Sequence, residues 1–190
     1  MIFFKKFKSG AGFTLIELLI VIAVIGILAA SVLTLINPFE QFAKARDAER
    51  KKTLRELANA LERYMIKNRI YPVTGPGVWY SSEPGGASWS NGPSNNGDWI
   101  PGLLASNEIT RLPRDPKGGP GNAALLGACF VERSQYAYRS DDGTCYKVVS
   151  HCAVEAAGAL SPTDPFYDPI RPDHVWMVCE PPGSVCCTTY

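Results

Sequence analysis

From Phe13 to Ile36 the chain runs for 24 residues with a single ionisable side chain, Glu17. As a helix this run is about 36 Å long, enough to cross the hydrocarbon core of a bilayer. It has no polar face, so it cannot lie on the surface of a soluble domain as an ordinary amphipathic helix. A carboxylate inside such a segment costs roughly 2.5–3.5 kcal/mol on insertion scales, which marks Glu17 as functional. This run divides the chain into a basic leader (1–12), an apolar helix (13–36) and a polar remainder.

Three readings compete for the N-terminus. A secretory signal would explain the basic start, and Ala29-Ala30-Ser31 mimics a cleavage site. The length of the run and Glu17 both count against it. A plain anchor explains the length but leaves the acid as a cost. The third reading rests on Lys5-Lys6-Phe7-Lys8-Ser9-Gly10-Ala11-Gly12 followed by Phe13-Thr14-Leu15-Ile16-Glu17 and the uninterrupted apolar run. This pattern closely resembles the prepilin signature of type IV pilins and type II secretion pseudopilins.

The resemblance implies cleavage between Gly12 and Phe13 by a prepilin peptidase and N-methylation of the new terminus, Phe13, by the same peptidase/methyltransferase. It implies storage in membrane lipid, then assembly with identical or related subunits by inner-membrane machinery. Glu17 is then an assembly residue. Its carboxylate can approach its own terminus, since i and i+4 share a helix face, or meet the terminus of a neighbouring subunit. The family implies the second arrangement.

Lys5, Lys6 and Lys8 favour a cytoplasmic N-terminus, while Lys44, Arg46, Arg50, Lys51 and Lys52 pull the other way. The six cysteines, Cys129, Cys145, Cys152, Cys179, Cys186 and Cys187, all follow the apolar run. Without a Cys-x-x-Cys spacing they read as disulfides in an oxidising space, which decides for an exported C-terminal domain. The expected location is therefore the cytoplasmic (inner) membrane, single-pass, head outside, with an extracellular or periplasmic filament after assembly. The formal charge of +1 does not by itself suggest a nucleic-acid binder.

Asn37-Pro38 ends the apolar run, with a kink expected at the proline. Residues 37–71 continue as an amphipathic helix. Leu54, Leu57, Ala58, Leu61, Tyr64 and Met65 share one face, a stripe expected to pack on a sheet. The charged stretch 44–52 reads as a solvated face, with subunit contacts as the alternative, and Lys52–Glu56 is an i,i+4 pair. Tyr71-Pro72 stops the helix.

The head, 72–190, begins with a turn-rich loop (72–100) bearing Trp79, Tyr80, Trp89 and Trp99. These aromatics anchor the loop or form a surface for binding. Gln135–Ser140 and Thr144–Ser150 flank Asp141-Asp142-Gly143, a hairpin signal, and His174–Glu180 is a third strand. Antiparallel pairing of 145–149 with 175–179 sets Cys145 opposite Cys179 and draws Cys129 towards Cys152. Cys186 and Cys187 then remain, as a vicinal bridge, as free thiols or as alternative partners in the cysteine-rich region 129–190.

The expected fold is α+β and pilin-like: a long N-terminal helix, half in the membrane and half amphipathic, on a small antiparallel sheet with a loop-rich, disulfide-stapled head. No cofactor is expected. Asp141, Asp142, Asp164, Asp168 and Asp173 offer oxygens for calcium, but their spacing matches no calcium loop. That mismatch and the extra cysteines lean away from a standard major pseudopilin. His151 and His174 have no companion motif, and no catalytic signature occurs, so an enzyme is not expected. The expected role is a structural filament subunit. The alternative is a membrane-anchored or filament-displayed binding module, for surface, sugar or DNA, using the loop aromatics.

Overall fold

The computed structural model describes residues 12–35, 37–83, 98–117, 134–156, 160–171 and 175–190. The chain forms two compact units, one through Phe39 and one from Glu40 to Tyr190.

The first unit carries helix α1, Leu15–Leu35. Its window Leu15–Val32 is long and apolar enough to cross a membrane. Every large apolar side chain in that window is at least 45% exposed. Nothing else described in its own unit covers any side of α1, whose apolar surface calls for apolar surroundings.

Helix α2, Pro38–Asn68, starts at the proline that was expected to kink a continuing helix. Proline suits a first helical position because its missing N–H has no intrahelical partner there. The Phe39 amide donates to Asn37 Oδ1 at 3.2 Å, capping the same turn. At the other end Arg69 turns into the left-handed region (φ 64°) and its N–H reaches the Met65 carbonyl. The helix thus closes just ahead of Tyr71-Pro72.

Four antiparallel strands follow: β1 (Tyr80–Ser81), β2 (Gln135–Arg139), β3 (Tyr146–His151) and β4 (Val175–Glu180), ordered β1-β2-β3-β4. The last three match the expected strands to within two residues at each end. His174 lies outside the described residues. β1 was not expected, because a two-residue edge strand inside a turn-rich loop has no legible alternation.

Alternation along the strands gives the sheet two covered faces. Tyr136, Tyr138, Tyr146, Val148 and Trp176 meet Leu54, Leu57 and Leu61 of α2, all essentially sealed from solvent. This is the expected helix stripe on the sheet. Full burial of each leucine is worth about 1.5–3 kcal/mol. On the opposite face Ala137, Cys145, Val149 and Val175 pack with Trp79, Cys186 and Tyr190. That second cover comes from the C-terminal segment, including the short helix α3, Val185–Thr189.

Trp79 and Trp99 are 4% and 1% exposed, and the Trp99 indole donates to the Pro113 carbonyl at 3.2 Å. They anchor the loop, the first of the two roles expected of these aromatics, and so offer no binding surface. Trp89 lies outside the described residues.

The charged stretch 44–52 also departs from expectation. Arg50 is fully buried and Asp47 nearly so. The Arg50 guanidinium donates twice to Asp115, from Nε and Nη2, both at 2.8 Å. Nη1 donates to Asp47 at 3.0 Å and to the Ala153 carbonyl, and Nη2 pairs with Glu155 at 2.8 Å. Asp47 in turn accepts the backbone amides of Glu155 and Ala156. The hub ties α2 to two loops at once. Burial alone would disfavour the arginine's charge, but the bonds it donates to Asp115 and Glu155, with their negative charges, outweigh it and raise its pKa. Lys44, Glu49 and Lys52 keep the solvated character expected of this stretch; Lys52–Glu56 spans 3.6 Å with both groups exposed.

Gly143 in the β2–β3 turn shows why that turn is Asp-Asp-Gly. Its φ is +80°, and a Cβ there would fall 2.2 Å from Ile70 Cγ1 and 2.9 Å from the Tyr71 carbonyl. Its own carbonyl accepts the Tyr71 amide at 2.9 Å, so the hairpin locks onto the segment leaving α2.

Candidate functional site

Gly12, Phe13 and Thr14 precede α1 as exposed, non-helical chain. Phe13 is 81% exposed. Thr14 is the N-cap of α1 and Glu17 stands three residues on. The Thr14 hydroxyl accepts the Glu17 amide at 3.3 Å. Glu17 Oε2 reaches back to the Thr14 amide at 3.0 Å and the Thr14 hydroxyl at 2.8 Å. This is a reciprocal capping box, two orphan donors satisfied by two side chains. A carboxylate at this end also complements the positive pole of the helix.

Of the two arrangements open to Glu17, the geometry of the uncut chain bears on the one within its own helix. Phe13 lies outside the helix, so Phe13 and Glu17 are not stacked on one helical face. Within its own chain the carboxylate of Glu17 is held by Thr14 and not by residue 13. The sequence carries the signal for it as Thr-x-x-Glu before an apolar run. The Thr14 amide lies beyond the Gly12–Phe13 bond, so a cut there leaves the box whole.

The cysteines form a different pattern from that expected. Cys145 bonds Cys186 and Cys179 bonds Cys187, with Cα separations of 5.9 and 5.5 Å. The expected pairing of Cys145 with Cys179 fails because the register sets Lys147, not Cys145, opposite Cys179. Cys145 lies just before β3, on the face covered by the C-terminal segment. Adjacent Cys186 and Cys187 can therefore reach one strand each. The Cys129–Cys152 expectation involves Cys129, which lies outside the described residues. Cys152 is buried, and no cysteine is free among the described residues.

The C-terminal segment has ionic anchors as well. Buried Lys147 donates to Asp168 Oδ1 and to the Tyr190 backbone oxygen, each at 3.0 Å. Arg171 donates to the same Tyr190 oxygen, and Arg139 lies 3.8 Å over the Tyr190 ring.

The aspartates weighed for calcium have protein partners. Asp141 pairs with Arg139, Asp142 accepts from Thr144, Asp164 pairs with Lys51, and Asp168 pairs with Lys147. Asp173 lies outside the described residues. Among the described residues no three His, Cys, Asp or Glu side chains cluster to hold a metal. His151 is buried at the end of β3, beside Cys152.

An exposed apolar helix of membrane length, opened by Gly-Phe-Thr-x-x-Glu and followed by an amphipathic helix on a small sheet, defines a prepilin-type subunit of a pilus-like filament. The model of the prokaryotic N-terminal methylation motif matches residues 8–33. Beyond the motif, the type II secretion system core protein G of Vibrio cholerae serotype O1 is 30% identical over 118 residues, covering 60% of this chain and 70% of the relative. The core protein G of Aeromonas hydrophila is 32% identical over 114 residues, 60% of this chain and 71% of the relative. That of Pseudomonas aeruginosa is 32% identical over 118 residues, 60% and 72%. No solved structure gives a significant match. The chain belongs to the family of type II secretion system core protein G. The absent calcium-loop spacing and the added cysteines do not take the chain out of that family.

Proposed function

We propose that this chain is a filament-building subunit of a type II secretion pseudopilus. A prepilin peptidase cuts between Gly12 and Phe13, and the new terminus of Phe13 is N-methylated. The subunit waits as a single-pass protein of the cytoplasmic membrane with its head outside, then polymerises with identical or related subunits. Its role is mechanical and not catalytic, and it uses no cofactor.

The observation that carries this reading is α1: lipid-length, apolar on every side, and headed by the capped acid. Cleavage creates an amine at Phe13 that the uncut chain lacks. In a filament core that cation, brought by a neighbour, is a partner for Glu17, whose Oε1 takes no part in the capping box. An unpaired charge in a low-dielectric core is strongly penalised, so the pair disfavours wrong axial offsets more than it strengthens the right one. Mass spectrometry of the chain recovered from membranes tests the reading. The expected species starts at methylated Phe13. Any other mature N-terminus overturns it.

A further inference from the structure

The second compact unit begins at Glu40, so a load carried along the chain between α1 and the head crosses the Phe39–Glu40 link. Beyond that link the first buried positions of α2 are Ala43, Asp47 and Arg50; Leu54, Leu57 and Leu61 come later. A pull on the N-terminal end of α2 therefore meets the ionic hub before it meets the apolar stripe.

The helix is gripped hard at that point. Arg46 Nε donates to both oxygens of Glu155 at 3.0 Å. Asp47 accepts the backbone amides of Glu155 and Ala156, and Arg50 donates twice to Asp115 and once to the Ala153 carbonyl. Lys51 pairs with Asp164 and lies 3.9 Å from the centre of the Trp176 ring. Six residues of helix, about 9 Å long, thus hold the chain at 115, at 153–156 and at 164. Further along, Leu54, Leu57 and Leu61 bury against the sheet, while Arg63 and Lys67 make exposed bonds to Glu108 and Ser106.

The two kinds of contact differ in how they yield. A hydrogen bond made at about 2.8 Å is gone by about 3.6 Å, whereas packed apolar side chains part gradually. Force lowers a barrier in proportion to the distance the chain moves before it gives way. Short-range bonds therefore resist a pull better than apolar packing of equal stability. Burial adds to this, because water cannot replace the bonds until the site opens.

We propose that the segment Arg46–Lys51 is a mechanical clamp, holding the head onto α2 when the subunit is loaded through its N-terminal helix. Withdrawal of that helix from lipid during polymerisation supplies such a load. This role rests on the filament-subunit reading above, and unlike a contribution to thermal stability it has a direction.

Optical tweezers test it on the full chain in detergent micelles, with the disulfides intact. One handle is attached through p-azidophenylalanine at Thr188, on the helix that disulfides tie to Cys145 and Cys179. The other is attached at Gln41 or at Ile66, exposed positions near the two ends of α2. Arg50→Met, and the milder Arg50→Lys that keeps the charge without the fork, are compared at constant force. Each is expected to shorten the lifetime under load from 41 at least about tenfold more than under load from 66. Leu61→Ala, in the apolar stripe nearer the far end, is expected to show the reverse order. Should Arg50→Met fail to fold, Arg50→Lys gives the same comparison. Equal shortening from both ends, or greater shortening from 66, overturns the clamp, because an ordinary stabilising cluster has no preferred end. The expected dependence on direction, found together with a mature N-terminus other than Phe13, supports the clamp and overturns the filament reading.

Discussion

Replacing Arg50 by methionine keeps the length of the side chain and removes its charge. The guanidinium holds two bonds to Asp115, one to Asp47 and an ion pair to Glu155. The side chains of Arg50 and Asp115 are wholly buried and that of Glu155 is 6% exposed. Arg50→Met strands these acids in a place water cannot reach. Breaking a buried pair in this way costs about 3–5 kcal/mol, a large part of a typical total of about 5–15 kcal/mol. For a unit of this size the loss corresponds to a fall in Tm of about 6–20 °C.

The assay is thermal unfolding by circular dichroism on the compact unit from Glu40 to Tyr190, disulfides intact. A second arm varies pH. Burial pushes the Glu155 carboxyl up, but hydrogen bonds from Arg46 and Arg50, with the charges of Arg50 and Lys117, outweigh it and hold its pKa below 4.5. Its ionised form therefore contributes stability above pH 4.5, and that contribution is lost as pH falls through the lower folded value. The variant has lost much of that contribution, so the gap between the two proteins is expected to narrow on acidification. A fall in Tm under about 2 °C, or a gap that widens in acid, would refute the hub as an anchor of α2.

Other outcomes follow from the same coordinates. Gly143→Ala forces a positive φ on a residue with a Cβ and drives it against Ile70 and the Tyr71 carbonyl, so a loss of about 2–4 kcal/mol is expected in denaturant titration. Removing the Cys145–Cys186 bridge as a pair of alanines is expected to cost about 4 kcal/mol by chain entropy, since it spans 41 residues. The Cys179–Cys187 bridge spans 8 and should cost about 2.5 kcal/mol; the reverse order in denaturant midpoints would refute the entropic account. Glu17→Ala is expected to be inserted and processed but to give few filaments by electron microscopy of sheared cells, and normal yield would remove Glu17 from assembly.

The sequence by itself determined whatever depends on neighbours along the chain. The apolar run, its lone acid, the leucine stripe of α2 and the Asp-Asp-Gly hairpin are local patterns, and helix and strand periods make them legible. The Thr14–Glu17 box is equally local, a Thr-x-x-Glu spacing ahead of an apolar run. What the tertiary structure decided is whatever depends on residues far apart in sequence. Arg50 sits in a run of lysines and arginines indistinguishable from a solvated face. Only the approach of Asp115 and Glu155, 65 and 105 positions away, makes it a buried hub. The bridges likewise turn on a shift in register: setting Cys179 opposite Lys147 sends both Cys145 and Cys179 to the C-terminal segment. Periodicity fixes which face a side chain takes, but not which distant segment arrives to cover it.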